Sequence, residues 1–262
     1  MGGDLMSAQA PTPMVSLAGV CKAYGSNPPV LQQIDLTIAK GEFVSLIGPS
    51  GCGKSTVLKL ISGLTHTTSG TLQVDGMTPV NARETISYIF QDATLLPWRT
   101  VTSNVGLGLE LERLSREARQ KKVHTLLELV GLTHVARAYP RQLSGGMKMR
   151  VSVARALATT PRLLLMDEPF GALDEMTRDR LNEELLRLRA EQNWTAVFVT
   201  HSVAEAVFLS TRIVVLAPSP GRIAQEITID LPFPRTAVTR ESTQFESYVT
   251  HVSRALRGVH SA

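Results

Sequence analysis

Apolar residues recur along the chain in two rhythms. Val15–Val20 alternates apolar with small residues, and Ile34–Ile38 alternates apolar with polar ones. Each predicts a strand with one buried face. Phe43–Ile47, Leu163–Met166 and Thr195–Thr200 are nearly unbroken apolar runs, the pattern of parallel strands covered on both faces. Gly70–Asp75 and Thr85–Phe90 add two short strands, and Ile213–Leu216 with Arg222–Ile229 form a hairpin around Pro218-Ser219-Pro220-Gly221. Helical spacing takes over from Val101 to Tyr139, for example at Val123, Leu126, Leu127 and Val130. It returns in Lys148–Ala158, at Leu181, Leu185 and Leu188, and at Phe245, Val249, Val252 and Leu256. Strands alternating with helices predict an α/β fold.

Composition narrows the picture. A chain of 262 residues, 43% hydrophobic and 19% charged, suits one large domain with a sizeable core. The net charge of +4 comes without a dense Lys/Arg run, so no nucleic-acid partner is expected. Two cysteines, one of them in a glycine-rich turn, argue against a structural disulfide and for a reducing compartment. No apolar run reaches the length of a membrane span, and the first residues lack a secretory pattern, so a membrane role would run through a partner. Residues 1–13 are small, polar and proline-containing, and read as a disordered lead.

The chemistry begins at Gly48-Pro49-Ser50-Gly51-Cys52-Gly53-Lys54-Ser55-Thr56, which follows the run Phe43–Ile47 and fits G-x-x-x-x-G-K-[ST]. Glycines let the backbone curl so that N–H groups face a phosphate, and the helix start adds partial positive charge. Lys54 is expected to reach the β- and γ-phosphates of a nucleoside triphosphate, and the Ser55 hydroxyl to ligate Mg²⁺. Cys52, beside Lys54 and a helix N-terminus, is expected to be a reactive thiolate that nucleotide protects. Filling a small-residue slot is the alternative. Tyr24, in a Gly/Asn/Pro loop, either rests on the core or stacks on a purine base.

Four further stretches follow in order. Gln91 ends a strand and opens Gln91–Trp98, whose Leu96-Pro97-Trp98 is an apolar cluster fit for its own subdomain or for a partner. Leu143-Ser144-Gly145-Gly146-Met147 offers Ser144 as an N-cap and two glycines at a helix start, a second anion site. Leu163–Met166 ends in Asp167-Glu168-Pro169, placing two carboxylates where ligands of parallel sheets bind. Ala172-Leu173-Asp174 comes next, and His201 closes the run Thr195–Thr200.

Together these stretches resemble the ATP-binding cassette of an ABC transporter over roughly residues 14–235. Gln91–Trp98, Leu143–Met147 and Asp230-Leu231-Pro232-Phe233-Pro234-Arg235 look most like the ATPases of the nitrate/sulfonate/taurine importer group. The resemblance implies a P-loop nucleotide-binding core with a mostly parallel sheet, an N-terminal antiparallel β subdomain and an inserted helical subdomain at about 92–158. The ATPase domain would span 14–240 and a helical tail 241–262. It implies ATP and Mg²⁺ as cofactors, with Ser55, Gln91 and Asp167 serving the metal. Glu168 would be the general base, assisted by His201, Lys54 and Gln91, and Tyr24 would meet the base of ATP. Ser144, Gly145 and Gly146 would grip the γ-phosphate of the opposite subunit in a head-to-tail homodimer. Permease subunits and, indirectly, a substrate-binding protein would be partners at the cytoplasmic face of the inner membrane. A lipid-trafficking cassette and a non-transport P-loop ATPase are the alternatives.

Overall fold

The computed structural model describes residues 13–260, so the proposed lead at 1–13 lies almost wholly outside the described residues. Strands β1 (Val15–Lys22), β2 (Leu31–Ile38) and β4 (Ser69–Val74) form a three-stranded antiparallel sheet in the order β2-β1-β4. The alternation in β2 buries Leu31, Ile34, Leu36 and Ile38 and exposes the residues between them.

The six-stranded sheet has the order β5-β6-β7-β3-β8-β9. Its strands are β3 (Phe43–Ile47), β5 (Ile86–Ile89), β6 (Leu163–Asp167), β7 (Thr195–Val199), β8 (Arg212–Ala217) and β9 (Arg222–Thr228). All neighbours are parallel except β8 and β9, which pair antiparallel as a hairpin. β3, β6 and β7 are buried along their whole length. Their side chains divide by parity. Phe43, Ile47, Leu164, Met166 and Phe198 join one apolar cluster, while Val44, Leu46, Leu163, Leu165 and Val197 join the other. Two covered faces are why these strands read as continuous apolar runs.

Eight helices complete the described chain: α1 (Lys54–Ile61), α2 (Val101–Val105), α3 (Arg116–Leu129), α4 (Gly145–Ala158), α5 (Glu175–Gln192), α6 (Val203–Leu209), α7 (Ala237–Arg240) and α8 (Thr243–His260). Leu181, Leu185 and Leu188 of α5 are buried, as are Phe245 and Val252 of α8.

The Val101–Tyr139 stretch proves less helical than its spacing predicts. Only α2 and α3 and short 3₁₀ turns form, capped by Thr100 and Ser115. Helix α2 stops at its C-cap Gly106, and buried Asn104 ties it to the segment before it, accepting from Leu96 N at 2.8 Å and donating to Leu96 O, Arg99 O and Thr100 O. Those bonds, with Arg155 donating to Ala93 O and Thr94 O, pin the Gln91–Trp98 segment and leave Trp98 71% exposed.

Candidate functional site

The glycine-rich turn is shaped by contacts that exclude a side chain. A Cβ on Gly48 would lie 2.5 Å from Leu216 O and 2.8 Å from Cys52 Sγ, and one on Gly53 would lie 2.4 Å from Leu31 Cδ2. Gly53 occupies the N-cap of α1 at φ 94°, a left-handed conformation open to glycine. It supplies no side-chain cap, so the first turn offers its N–H groups to an external anion. Lys54 is buried, and its ammonium donates to Gly48 O at 2.8 Å and Pro49 O at 2.9 Å. These bonds hold the charge at the mouth of the turn.

The carboxylates arrive from the neighbouring strands. Asp167, at the end of β6 and 6% exposed, accepts from Ser55 Oγ at 2.9 Å and from Tyr88 Oη at 3.4 Å. Burial raises its carboxyl pKa, against the Ser55 bond that lowers it; the Glu168 charge raises it further. A buried carboxylate bonded to neutral hydroxyls beside a phosphate-type turn is a hard-oxygen set that fits a divalent cation.

Glu168 turns out of the strand at φ 48°, its N–H bonded to Val199 O at 3.0 Å. A left-handed non-glycine residue is a strained one. The bend directs the Glu168 side chain to a recess of about 280 Å³ whose other walls include Ser50, Gly51, Lys54, Ser55 and Thr56. Glu168 Oε2 lies 3.4 Å from Nδ1 of His201, whose side chain is exposed at the end of β7. Because β6 and β7 are adjacent, their ends meet.

The structure thus brings together Lys54, Ser55, Asp167, Glu168 and His201. Gln91 follows β5, where Ile89 pairs with Met166, and so stands level with Glu168, exposed. It makes no hydrogen bond to Ser55 or Asp167 among the described residues. Tyr24 is exposed on the loop before Val30, itself on the recess wall, and Lys22 Nζ lies 4.6 Å from its ring centre.

Ser144 caps α4 by accepting from Met147 N at 3.3 Å, and α4 begins at Gly145 rather than Lys148. Neither Ser144, Gly145 nor Gly146 borders the recess; Gly146 abuts Leu173 and Ala172.

One expectation is overturned. Cys52 is fully buried against Gly48, and burial pushes its thiol pKa up more strongly than Lys54 lowers it. It fills the small-residue slot and is not a reactive thiolate. Tyr88 was missed. Its strand reads as structural, and only the pairing of β5 with β6 sets its hydroxyl beside Asp167.

A family profile described as ABC transporter matches residues 31–171. The nitrate import ATP-binding protein NrtD of Synechocystis sp. is 44% identical over 234 residues, covering 87% of this chain and 88% of its own. The aliphatic sulfonates import ATP-binding protein SsuB of Bacillus licheniformis is 44% identical over 218 residues, covering 82% of this chain and 84% of its own. Among solved structures, a dimeric ATP-binding cassette in a post-hydrolysis state bound to ADP and Pi superposes with a TM-score of 0.77. It is 34% identical and covers 84% of this chain and 100% of its own.

Proposed function

The chain belongs to the ABC transporter family and is the ATP-hydrolysing subunit of an importer; on that premise we propose that two copies close head to tail over two ATP molecules. The observation that carries this reading is a division within the chain. The glycine-rich turn, Lys54, Ser55 and Glu168 line the recess, with Asp167 bonded to Ser55 and His201 beside Glu168, while the second anion-binding turn at Ser144–Gly146 lies outside it. A second copy supplies the missing half.

Lys54 would exchange its carbonyl partners for the β- and γ-phosphate oxygens, a trade open to an ammonium on a flexible stem. Ser55, Gln91 and Asp167 would hold Mg²⁺, which neutralises charge building on those phosphates. Glu168 would accept hydrogen bonding from a water in line with the γ-phosphate and polarise it as general base. His201, 3.4 Å from Glu168, would contact the γ-phosphate from the same side and orient that carboxylate. Tyr24 would lay its ring on the base of ATP. Ser144, Gly145 and Gly146 of the other copy would close the site and exclude solvent.

Closure would be passed to membrane-embedded permease subunits through the surface around Trp98, whose supporting turn is pinned by Asn104 and Arg155. No helix among the described residues is long and apolar enough to cross a membrane. On the likeness to importer ATP-binding proteins, the chain would act peripherally, at the cytoplasmic face of the inner membrane, with a substrate-binding protein engaged only through the permease.

Mixing tests the composite site. Lys54→Ala and Ser144→Arg should each be inactive alone, and their mixture should regain hydrolysis, because one site per heterodimer has both halves intact. Dimers that form in the mixture without recovered phosphate release would sink the head-to-tail arrangement.

A further inference from the structure

Glu205 has no part in the chemistry above, yet this carboxylate is only 6% exposed. It lies in the first turn of α6, directly behind the turn that carries His201. Thr200 donates its hydroxyl to Glu205 Oε2 at 2.5 Å and accepts from Ser202 N at 3.0 Å. Ser202 Oγ caps α6 by accepting from Glu205 N at 3.3 Å. Two bonds therefore tie the residues on either side of His201 to Glu205, and a third ties those two residues to each other.

The other carboxylate oxygen, Oε1, faces Arg178 Nε at 3.4 Å. Both atoms are buried and neither completes a hydrogen bond. Burial raises the Glu205 pKa, opposed by Thr200 and by the charges of Arg178, His201 and Arg240. Arg240 itself is engaged elsewhere, over the Phe208 ring at 3.5 Å and with Asp179 at 3.1 Å.

Arg178 also reaches forward. Its Nη2 donates to Leu173 O at 3.0 Å. A Cβ on Gly146 would sit 3.2 Å from Leu173 Cδ2 and 3.3 Å from Ala172 O. Contact therefore runs unbroken from the His201 turn through Glu205 and Arg178 to Leu173 and the start of α4.

We propose that Arg178 and Glu205 are a positioning pair that couples the His201 turn of one ATP site to the Ser144–Gly146 turn serving the other. The inference rests on the head-to-tail reading above. In that dimer His201 meets the chain's own ATP, whereas Gly146 meets the neighbour's, so a rigid link within one chain joins two sites. Coupling requires one element that both sites bias, and the Leu173 loop is that element. The Glu205 side chain is 8% exposed and that of Arg178 27%; leaving the buried carboxylate without its cation is costly, so a movement of Glu205 with the His201 turn carries Arg178 and Leu173 with it.

The test is steady-state ATP hydrolysis with Mg²⁺ against ATP concentration, for wild type, Arg178→Gln and Arg178→Lys. Binding of a fluorescent ATP analogue to each chain is measured in parallel. Gln removes the charge facing Glu205. Lys keeps it but cannot span Glu205 and Leu173 with one forked group. The wild type should be cooperative in ATP. In Arg178→Gln, kcat should fall about tenfold and the Hill coefficient drop to about 1, with analogue affinity within about twofold of wild type. Arg178→Lys should retain affinity and lose the same cooperativity, and it decides alone if Arg178→Gln fails to fold. A folded variant that loses kcat but keeps the wild-type Hill coefficient overturns the proposal, because that is what a structural role produces. A non-cooperative wild type overturns it too. Recovery in the Lys54→Ala and Ser144→Arg mixture separates either failure from failure of the dimer reading.

Discussion

Replacing Glu168 with Gln separates binding from chemistry. The residue sits at φ 48° with its N–H on Val199 O, and Gln meets the same backbone strain and keeps the same bond. Size and hydrogen-bonding capacity persist, so the fold, the Ser55–Asp167 contact and the Lys54 position should be retained. What disappears is one negative charge on the recess wall, 3.4 Å from His201 Nδ1. Removing a general base typically costs about 10²–10⁴ in rate. At about 1.36 kcal/mol per decade that is about 2.7–5.4 kcal/mol of transition-state stabilisation. Binding of ATP should change far less, because Glu168 is not a phosphate donor. Closed dimers holding intact ATP should then accumulate, since closure persists while the step that reopens it is slowed. Size-exclusion chromatography with Mg-ATP, run beside a phosphate-release assay, reads both quantities. A variant hydrolysing near the wild-type rate would show that Glu168 is not the base. An inactive variant that stays monomeric at high protein and Mg-ATP concentration would refute the sandwich itself.

Three further outcomes follow from the geometry. Burial raises the Asp167 pKa, so the native chain holds that proton more tightly than the unfolded chain. Its contribution favours the fold at low pH and is lost as pH rises through the raised value; denaturation without nucleotide across the acid range should show this slope, and Asp167→Asn should flatten it. Gly48→Ala forces a Cβ to 2.5 Å from a backbone oxygen, so it should cost about 1–3 kcal/mol by thermal melting and weaken ATP binding; an unchanged Tm would contradict the placement. Arg235→Ala strips the donors from Val207 O, Phe208 O, Ser210 O, Leu231 O and Ile229 O around a side chain 2% exposed. Chemical denaturation should show a loss of about 3 kcal/mol or more, and a loss under about 1 kcal/mol would mean that water replaces those bonds.

Much of the molecule is encoded locally and could be read from the chain alone. The phosphate turn is contiguous, its glycines demanded by backbone shape, and the buried parallel strands announce themselves as apolar runs because both faces are covered. Caps are local too, which is why Ser144 caps α4 as the sequence predicts. Asp167, Glu168 and His201 were legible because strand ends in such a sheet gather on one edge. Tertiary structure alone decided what depends on which strands lie side by side. The thiol of Cys52 is buried in the core against Gly48 and its pKa is raised by that burial, and no neighbouring residue type reveals that. Tyr88 reaches Asp167 across 79 positions of sequence, and Arg178, locally bonded to Leu173, meets Glu205 because α5 and α6 pack together. The anchoring of the Gln91–Trp98 segment has the same origin: buried Asn104 donates to carbonyls of Leu96, Arg99 and Thr100, partners that periodicity does not reveal. Periodicity reports which face is buried, whereas long-range pairing decides which polar atoms meet there.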